Sequence, residues 1–173
     1  MRTTSTRELG MEIHQAPGPP RMNVIVAAGT RVAELEVCPG RRAGSIRQAD
    51  RTRWTLEQPP GASEWWVADS AGVPVATLER PSPFGERFTI HLHGTAYRVR
   101  PRGGAWRRRW SIVDDRDREL LEALQRPFAR TVHDLWRRSG DIAQELPLLA
   151  AWTLALATSA PMPATRRPRW TVH

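Results

Sequence analysis

The chain reads as mainly β: an antiparallel, closed β-barrel of about eleven to twelve strands around one buried, hydrophobic C-terminal α-helix. Three observations lead there. Residues 146–158, LPLLAAWTLALAT, are apolar on every side apart from Thr153 and Thr158. A helix with one apolar stripe lies on a surface, whereas one that is apolar all round must be enclosed. Upstream, short segments of alternating hydrophobicity are punctuated by Gly, Pro and Asp, as in antiparallel strands. Finally, one hairpin pattern recurs along the chain. A sheet of about eleven strands normally curls or closes, and closing it around the helix shelters both apolar surfaces.

The elements follow in order. Residues 1–20 are polar and end in Pro17-Gly18-Pro19-Pro20, so they read as a disordered arm with at most one short strand, near Met11–His14. Residues 22–28 and 31–37 form a hairpin turned at Gly29-Thr30, and 43–48 and 53–58 are two further strands, with Trp54 and Leu56 on one face. Residues 64–69, carrying Trp65, Trp66 and Val67, turn through Ser70-Ala71-Gly72 into 73–80. Residues 87–93 alternate, with Phe88, Ile90 and Leu92 inward and His91 and His93 outward. Gly94 turns the chain into 95–100, with Tyr97 and Val99 inward, and 106–113 puts Trp106, Trp110 and Ile112 on one face. After the charged turn 114–118, residues 119–124 and 128–136 suit helix or strand by propensity, and the repeat decides for strand. Pro147 fits the first turn of the closing helix, where its missing N–H is not needed. At roughly 18 Å that helix is too short to cross a bilayer, which takes about 20 apolar residues. The tail 159–173, with three prolines and three arginines, reads as disordered. The domain plan is therefore an arm over 1–20, a barrel over 21–158 with its central helix at 146–158, and the tail.

The repeat joins Trp65…Asp69…Leu78-Glu79-Arg80-Pro81 to Trp110…Asp114…Leu124-Gln125-Arg126-Pro127. Matched by these leucines, the second copy has a turn one residue longer, and Glu122 falls opposite the inward Ala76. An earlier copy is Val32-Ala33-Glu34-Leu35-Glu36 against Val75-Ala76-Thr77-Leu78-Glu79. Each unit is a hairpin that cannot bury its apolar face alone.

The hairpins at 66–76 (WVADSAGVPVA) and 109–114 (RWSIVD), the strand pair at 87–100 and the closing helix LPLLAAW together resemble the superfamily of tubby C-terminal domains, phospholipid scramblases and LURP-one-related proteins. The likeness spans residues 22–158, and its specific part is the order of elements ending in an apolar helix. It implies a twelve-stranded barrel threaded by that helix, with Glu8–His14 as the source of the twelfth strand. The sequence departs from the family in two ways. It has no cysteine cluster of the kind scramblases use for acylation, and it has no lysine for the phosphoinositide contacts of tubby proteins, so arginine would have to substitute.

All 26 basic residues are Arg, and the net charge is +8. Such a surface favours anionic partners, and guanidinium forks bind phosphate bidentately. The candidate headgroup-binding residues are Arg107 and Arg109 beside Trp106 and Trp110, then Arg137 and Arg138, then Arg166 and Arg167 in the tail. The expected core comprises Leu148, Leu149, Trp152, Leu154, Leu156, Trp110, Phe88 and Ile90. Other groupings are weaker. Asp114, Asp115, Asp117 and Glu119 resemble a calcium loop, but Arg116 and Arg118 lie between the acids and no central glycine is present. His91 and His93 have a zinc-like spacing without an evident third ligand. His133-Asp134 lacks a nucleophile, and the lone Cys38 excludes an internal disulfide. No catalytic, metal or cofactor site is therefore expected.

The expectation is a non-enzymatic, cytoplasmic barrel, peripheral to a membrane, that uses arginine to bind anionic phospholipid headgroups or an acidic protein. No secretory leader or transmembrane segment is read. The rivals are a nucleic-acid-binding module, which needs exposed aromatic rings, a small-ligand barrel, which needs an open cavity, and a structural scaffold.

Overall fold

The structure is a computed structural model that describes residues 8–15, 22–37, 42–82, 86–103, 108–125, 133–138 and 141–159. Twelve antiparallel strands close into a barrel in simple meander order, with the last paired to the first. They are β1 (Glu8–Gln15), β2 (Met22–Ala27), β3 (Thr30–Val37), β4 (Ala43–Gln48), β5 (Arg53–Glu57) and β6 (Glu64–Asp69). Then come β7 (Pro74–Glu79), β8 (Phe88–Leu92), β9 (Thr95–Arg102), β10 (Arg109–Val113), β11 (Glu119–Gln125) and β12 (His133–Arg137), followed by α1 (Leu146–Ser159). The predicted closed barrel around a buried C-terminal helix is the observed fold. Residues 119–125 are strand, and the last strand starts at His133, with 126–132 outside the described residues.

The twelfth strand comes from the arm. Glu8–Gln15 is not disordered: it pairs with β12 on one side and β2 on the other, and so removes both free edges. The barrel thus begins at Glu8 and not at 21. Ile13, fully buried, supplies the inward side chain that the polar composition of the arm conceals. The rest of the arm and the tail beyond Ser159 lie outside the described residues.

The interior is filled by α1. Every residue from Leu146 to Ala157 is buried, and Trp152 is fully so. The helix faces β3 and β8, which stand nearly opposite each other in the barrel, so it runs through the middle. Two hydroxyls ride inside without penalty because each bonds back to the helix, Thr153 to the Ala150 carbonyl at 2.8 Å and Thr158 to that of Leu154 at 2.9 Å. The Trp152 indole packs edge-on against Trp65, with centroids 4.9 Å apart, and donates to the Glu36 carbonyl at 3.2 Å. Gly44 gives it room: a Cβ there would sit 2.9 Å from Trp152 Cζ2 and 2.8 Å from the Glu36 oxygen. The expected core residues Leu148, Leu149, Leu154, Leu156, Trp110, Phe88 and Ile90 are all buried around this axis.

The repeat is present in the backbone, in a corrected register. The hairpins β2–β3, β6–β7 and β10–β11, spaced four strands apart, each carry a register shift at the same place, between Ile25 and Val26, between Val67 and Ala68, and between Ile112 and Val113. The extra residues are Val32, Val75 and Leu120. The turns of the last two copies are alike. Asp69 and Asp114 each accept from the N–H groups two and four residues on, at 2.9 to 3.0 Å. The longer turn expected for the second copy is therefore absent. Trp65 faces Leu78 just as Trp110 faces Ala123, so Glu122 corresponds to the outward Thr77, not to Ala76. The leucine match slipped by one position, which in a strand exchanges the two faces.

Candidate functional site

Outward arginines concentrate on two parts of the wall, and they differ in how they are neutralised. The first part is β9 to β12, where the sequence places its candidates. Arg109 points outward beside Trp110, which is inward, and meets Glu122 at 3.5 Å. Arg138 also pairs with Glu122, stands 3.9 Å from Glu119, and donates its backbone N–H to the Leu120 carbonyl at 2.8 Å. The fold thus brings Arg109 and Arg138 onto one buried carboxylate, although they lie on β10 and just past β12. Arg137 takes the other face: its backbone lies opposite Leu121 and Glu8, and its side chain is exposed. Arg107, with Trp106, and Arg166 and Arg167 lie outside the described residues.

The neighbours are paired as well. Arg108 meets Glu86 at 2.7 Å, Arg102 meets Glu119 at 3.2 Å, and Arg98 and Arg100 share Asp117 at 2.9 and 3.2 Å. Exposed ion pairs add little stability, but they do use up the charge that a headgroup would need. The acidic run 114–119 serves this wall. The Asp114 carboxylate, 3% exposed, accepts from Arg116 and Arg118 backbone N–H groups and from Arg118 Nε at 2.7 Å. Burial alone would raise its pKa, yet these hydrogen bonds and the Arg118 charge hold it below the usual carboxylate value.

The second part is a groove of about 590 Å³ at the hairpin ends of β2–β3 and β4–β5. Arg31, Arg47, Arg51 and Arg53 line it, and among the described residues Glu34 is the sole acid in its lining. Antiparallel pairing sets Arg47 directly opposite Arg53 on one side and Glu34 on the other. Glu34 is bonded to Arg31 and stands 3.7 Å from Arg47. Among the described residues no acid lies within ion-pairing reach of Arg51 or Arg53. Like charges directly opposite each other destabilise a strand pair, so this juxtaposition works against the fold. Arg51 adds strain of its own: its φ is +72°, a left-handed conformation that favours glycine. The turn around it is held by Gln48 N–H to Thr52 O at 2.8 Å and by Asp50, whose carboxylate accepts from Thr52 N–H at 2.8 Å. The hydrogen bonds from Thr52, its backbone N–H first, hold Asp50 below its ordinary pKa.

None of the groove's arginines is among the candidates drawn from the sequence. A signal was available: Arg47 and Arg53 flank a short turn symmetrically, and the strands read at 43–48 and 53–58 already place them across from each other. Arg31 comes from a different hairpin, and only the β3–β4 pairing carries it to the site.

The histidines divide. His91 and His93 are exposed and lean on different acids, Glu79 at 3.7 Å and Glu145 at 3.2 Å. His133 is inward, 1% exposed, with its ring edge-on to Trp110 at 5.2 Å. Burial pushes its pKa down to about 4 against the opposing pull of Asp134. Among the described residues no group of three or more His, Cys, Asp or Glu side chains converges as a metal site would require. Also among them, no helix is long and apolar enough to cross a membrane. Cys38 lies outside the described residues.

Comparison with protein-family models, with curated proteins and with solved structures finds no match to this chain.

Proposed function

We propose that the protein is a non-enzymatic barrel of the tubby, scramblase and LURP-one-related type, cytoplasmic and peripheral to a membrane, that binds anionic phosphate groups of lipid headgroups through arginine. The observation that carries this reading is the groove, where among the described residues four arginines and one acid, Glu34, form the charged lining. Guanidinium forks match phosphate oxygens bidentately, and a surplus of them at one place binds anions where a paired wall does not. The seat of binding is accordingly Arg47, Arg51 and Arg53, in place of Arg109 and Arg138, which Glu122 already engages. Support for the family type comes from the twelve strands and the threaded helix. Support for a binding role over catalysis comes from the interior, which Trp152 and its leucine neighbours occupy. The rival of nucleic-acid stacking is less favoured, because Trp54, Trp65, Trp110 and Trp152 face the core and are buried, while Trp66, 58% exposed on β6, lies outside the lining of the arginine groove.

Cosedimentation with phosphatidylcholine vesicles, with and without phosphatidylserine, across a salt series tests the reading. Duplex DNA of equal charge serves as competitor. Binding to the anionic vesicles that weakens with salt, resists DNA and is reduced about tenfold by Arg47→Ala combined with Arg53→Ala is the expected result. Absence of anionic-vesicle binding, or full displacement by DNA, refutes it.

A further inference from the structure

Among the described residues Glu34 is the only acid in the lining of a groove with four arginines, and it stands where an incoming anion would. It lies across from Arg47 on the outer side of β3, and it is bonded to Arg31, the residue at the start of the same hairpin arm. Its side chain is 20% exposed and it reaches Arg47 at 3.7 Å, a loose contact that water can compete for. The same repeat position in β11 holds Glu122, which also bridges two arginines. That second carboxylate is only 8% exposed, under Arg138. One arrangement therefore occurs twice: a closed form on β11 and an open, half-wet form at the groove.

We propose that Glu34 is an internal counter-anion of the groove, and that a phosphate-bearing ligand displaces it from Arg47 to sit between the opposed guanidinium groups of Arg47 and Arg53. This rests on the anion-binding reading above and deepens it by assigning the contact that the ligand must break. Three features argue for it. The Arg47–Arg53 pair is a repulsive cross-strand arrangement, and a dianion between the two forks would relieve it. Glu34 can neutralise Arg47 from the β3 side, whereas Arg53 lies a further strand away across β4 and makes no ion pair with it. Arg51, at the tip of the same hairpin, brings a third guanidinium to the groove in a backbone conformation that glycine would adopt with less strain. The ligand chemistry is a phosphomonoester or a pyrophosphate-like group with at least two charges. A lipid headgroup and a soluble phosphate both present it.

Titration calorimetry with inorganic pyrophosphate, and in parallel cosedimentation with phosphatidylcholine vesicles containing phosphatidic acid, whose headgroup is a phosphomonoester, separates these sources. Glu34→Gln keeps the side chain's shape and removes its charge. It is expected to tighten pyrophosphate binding roughly twofold to fivefold, the worth of the one exposed Glu34–Arg47 ion pair. The gain is expected to vanish in Glu34→Gln combined with Arg47→Ala, because it acts through Arg47. Glu122→Gln is expected to leave pyrophosphate affinity unchanged. Glu34→Ser serves as a second charge-removing variant and is expected to show the same gain. If neither Glu34 variant binds pyrophosphate or vesicles more tightly than the parent, the counter-anion role is overturned, while parental vesicle binding would leave the broader function standing. If the parent and the variants bind neither probe, the anion-binding reading itself falls. Tightening toward pyrophosphate alone assigns a soluble ligand, and tightening toward both assigns a phosphate group that a lipid can carry.

Discussion

Single residues set the limits of this barrel in ways that burial alone does not reveal. Gly44 is the clearest case. It lies where the Trp152 indole crosses β4, and an added methyl would press on a backbone carbonyl as well as on the ring. The ring can give a little, but the carbonyl belongs to the β3–β4 ladder and cannot. Gly44→Ala is therefore expected to destabilise the fold by about 1–3 kcal/mol, as overpacking of a filled core does, read by urea unfolding followed at the tryptophan fluorescence. His133 sets a different limit. Its folded pKa, about 4, lies below the ordinary 6.5 because the ring is taken out of water. Between those two values the unfolded chain binds the extra proton and the folded one does not. Stability is thus fully present above about pH 6.5 and declines as the pH falls toward 4, by on the order of 3 kcal/mol from this group. Unfolding midpoints measured across that range should show the decline, and His133→Phe should flatten it. A profile equally steep in the variant would assign the effect to other groups.

At the scale of the element, the unit is the bulged hairpin with an aspartate at its turn. Asp69 and Asp114 perform the same task, accepting two backbone N–H groups that the tight turn leaves without strand partners. Asp114 adds the Arg118 guanidinium and is more deeply buried. Asp114→Ala is expected to lower the melting temperature more than Asp69→Ala, and Asn at either position should recover part of the loss. Equal melting temperatures for the two alanine variants would mean that the Arg118 contact contributes nothing. The hairpins were readable before the structure because their tryptophans and aspartates keep one spacing. The register was not, since leucine recurs on both strands and a match one residue off still pairs hydrophobic with hydrophobic. The bulges at Val32, Val75 and Leu120 settle it, and a bulge depends on the partner strand, which a single segment cannot display.

For the whole molecule, closure is the governing constraint. β1 stitches β12 to β2, and without it both would present open edges around a large apolar interior. Removing residues 1–15 is expected to abolish cooperative unfolding and to drive the chain into oligomers on size exclusion, as exposed strand edges do. A truncated chain that stayed monomeric and melted cooperatively would show that α1 and eleven strands suffice. The barrel and what fills it follow from the order of the amino acids alone. The all-round apolar run at 146–158 has no other place to go, and alternation along each strand names the side chains that meet it. Which arginines stay without a nearby acid follows from the way the strands close. Arg109 and Arg138 looked available along the chain, yet the pairing of β10, β11 and β12 delivers both to Glu122. Arg47, Arg51 and Arg53 looked like an ordinary hairpin, yet among the described residues Glu34 is the one acid in the lining of their groove. Burial is a property that a residue's own type and spacing foretell. Charge balance at a site depends on neighbours from distant strands, and those are set when the sheet closes.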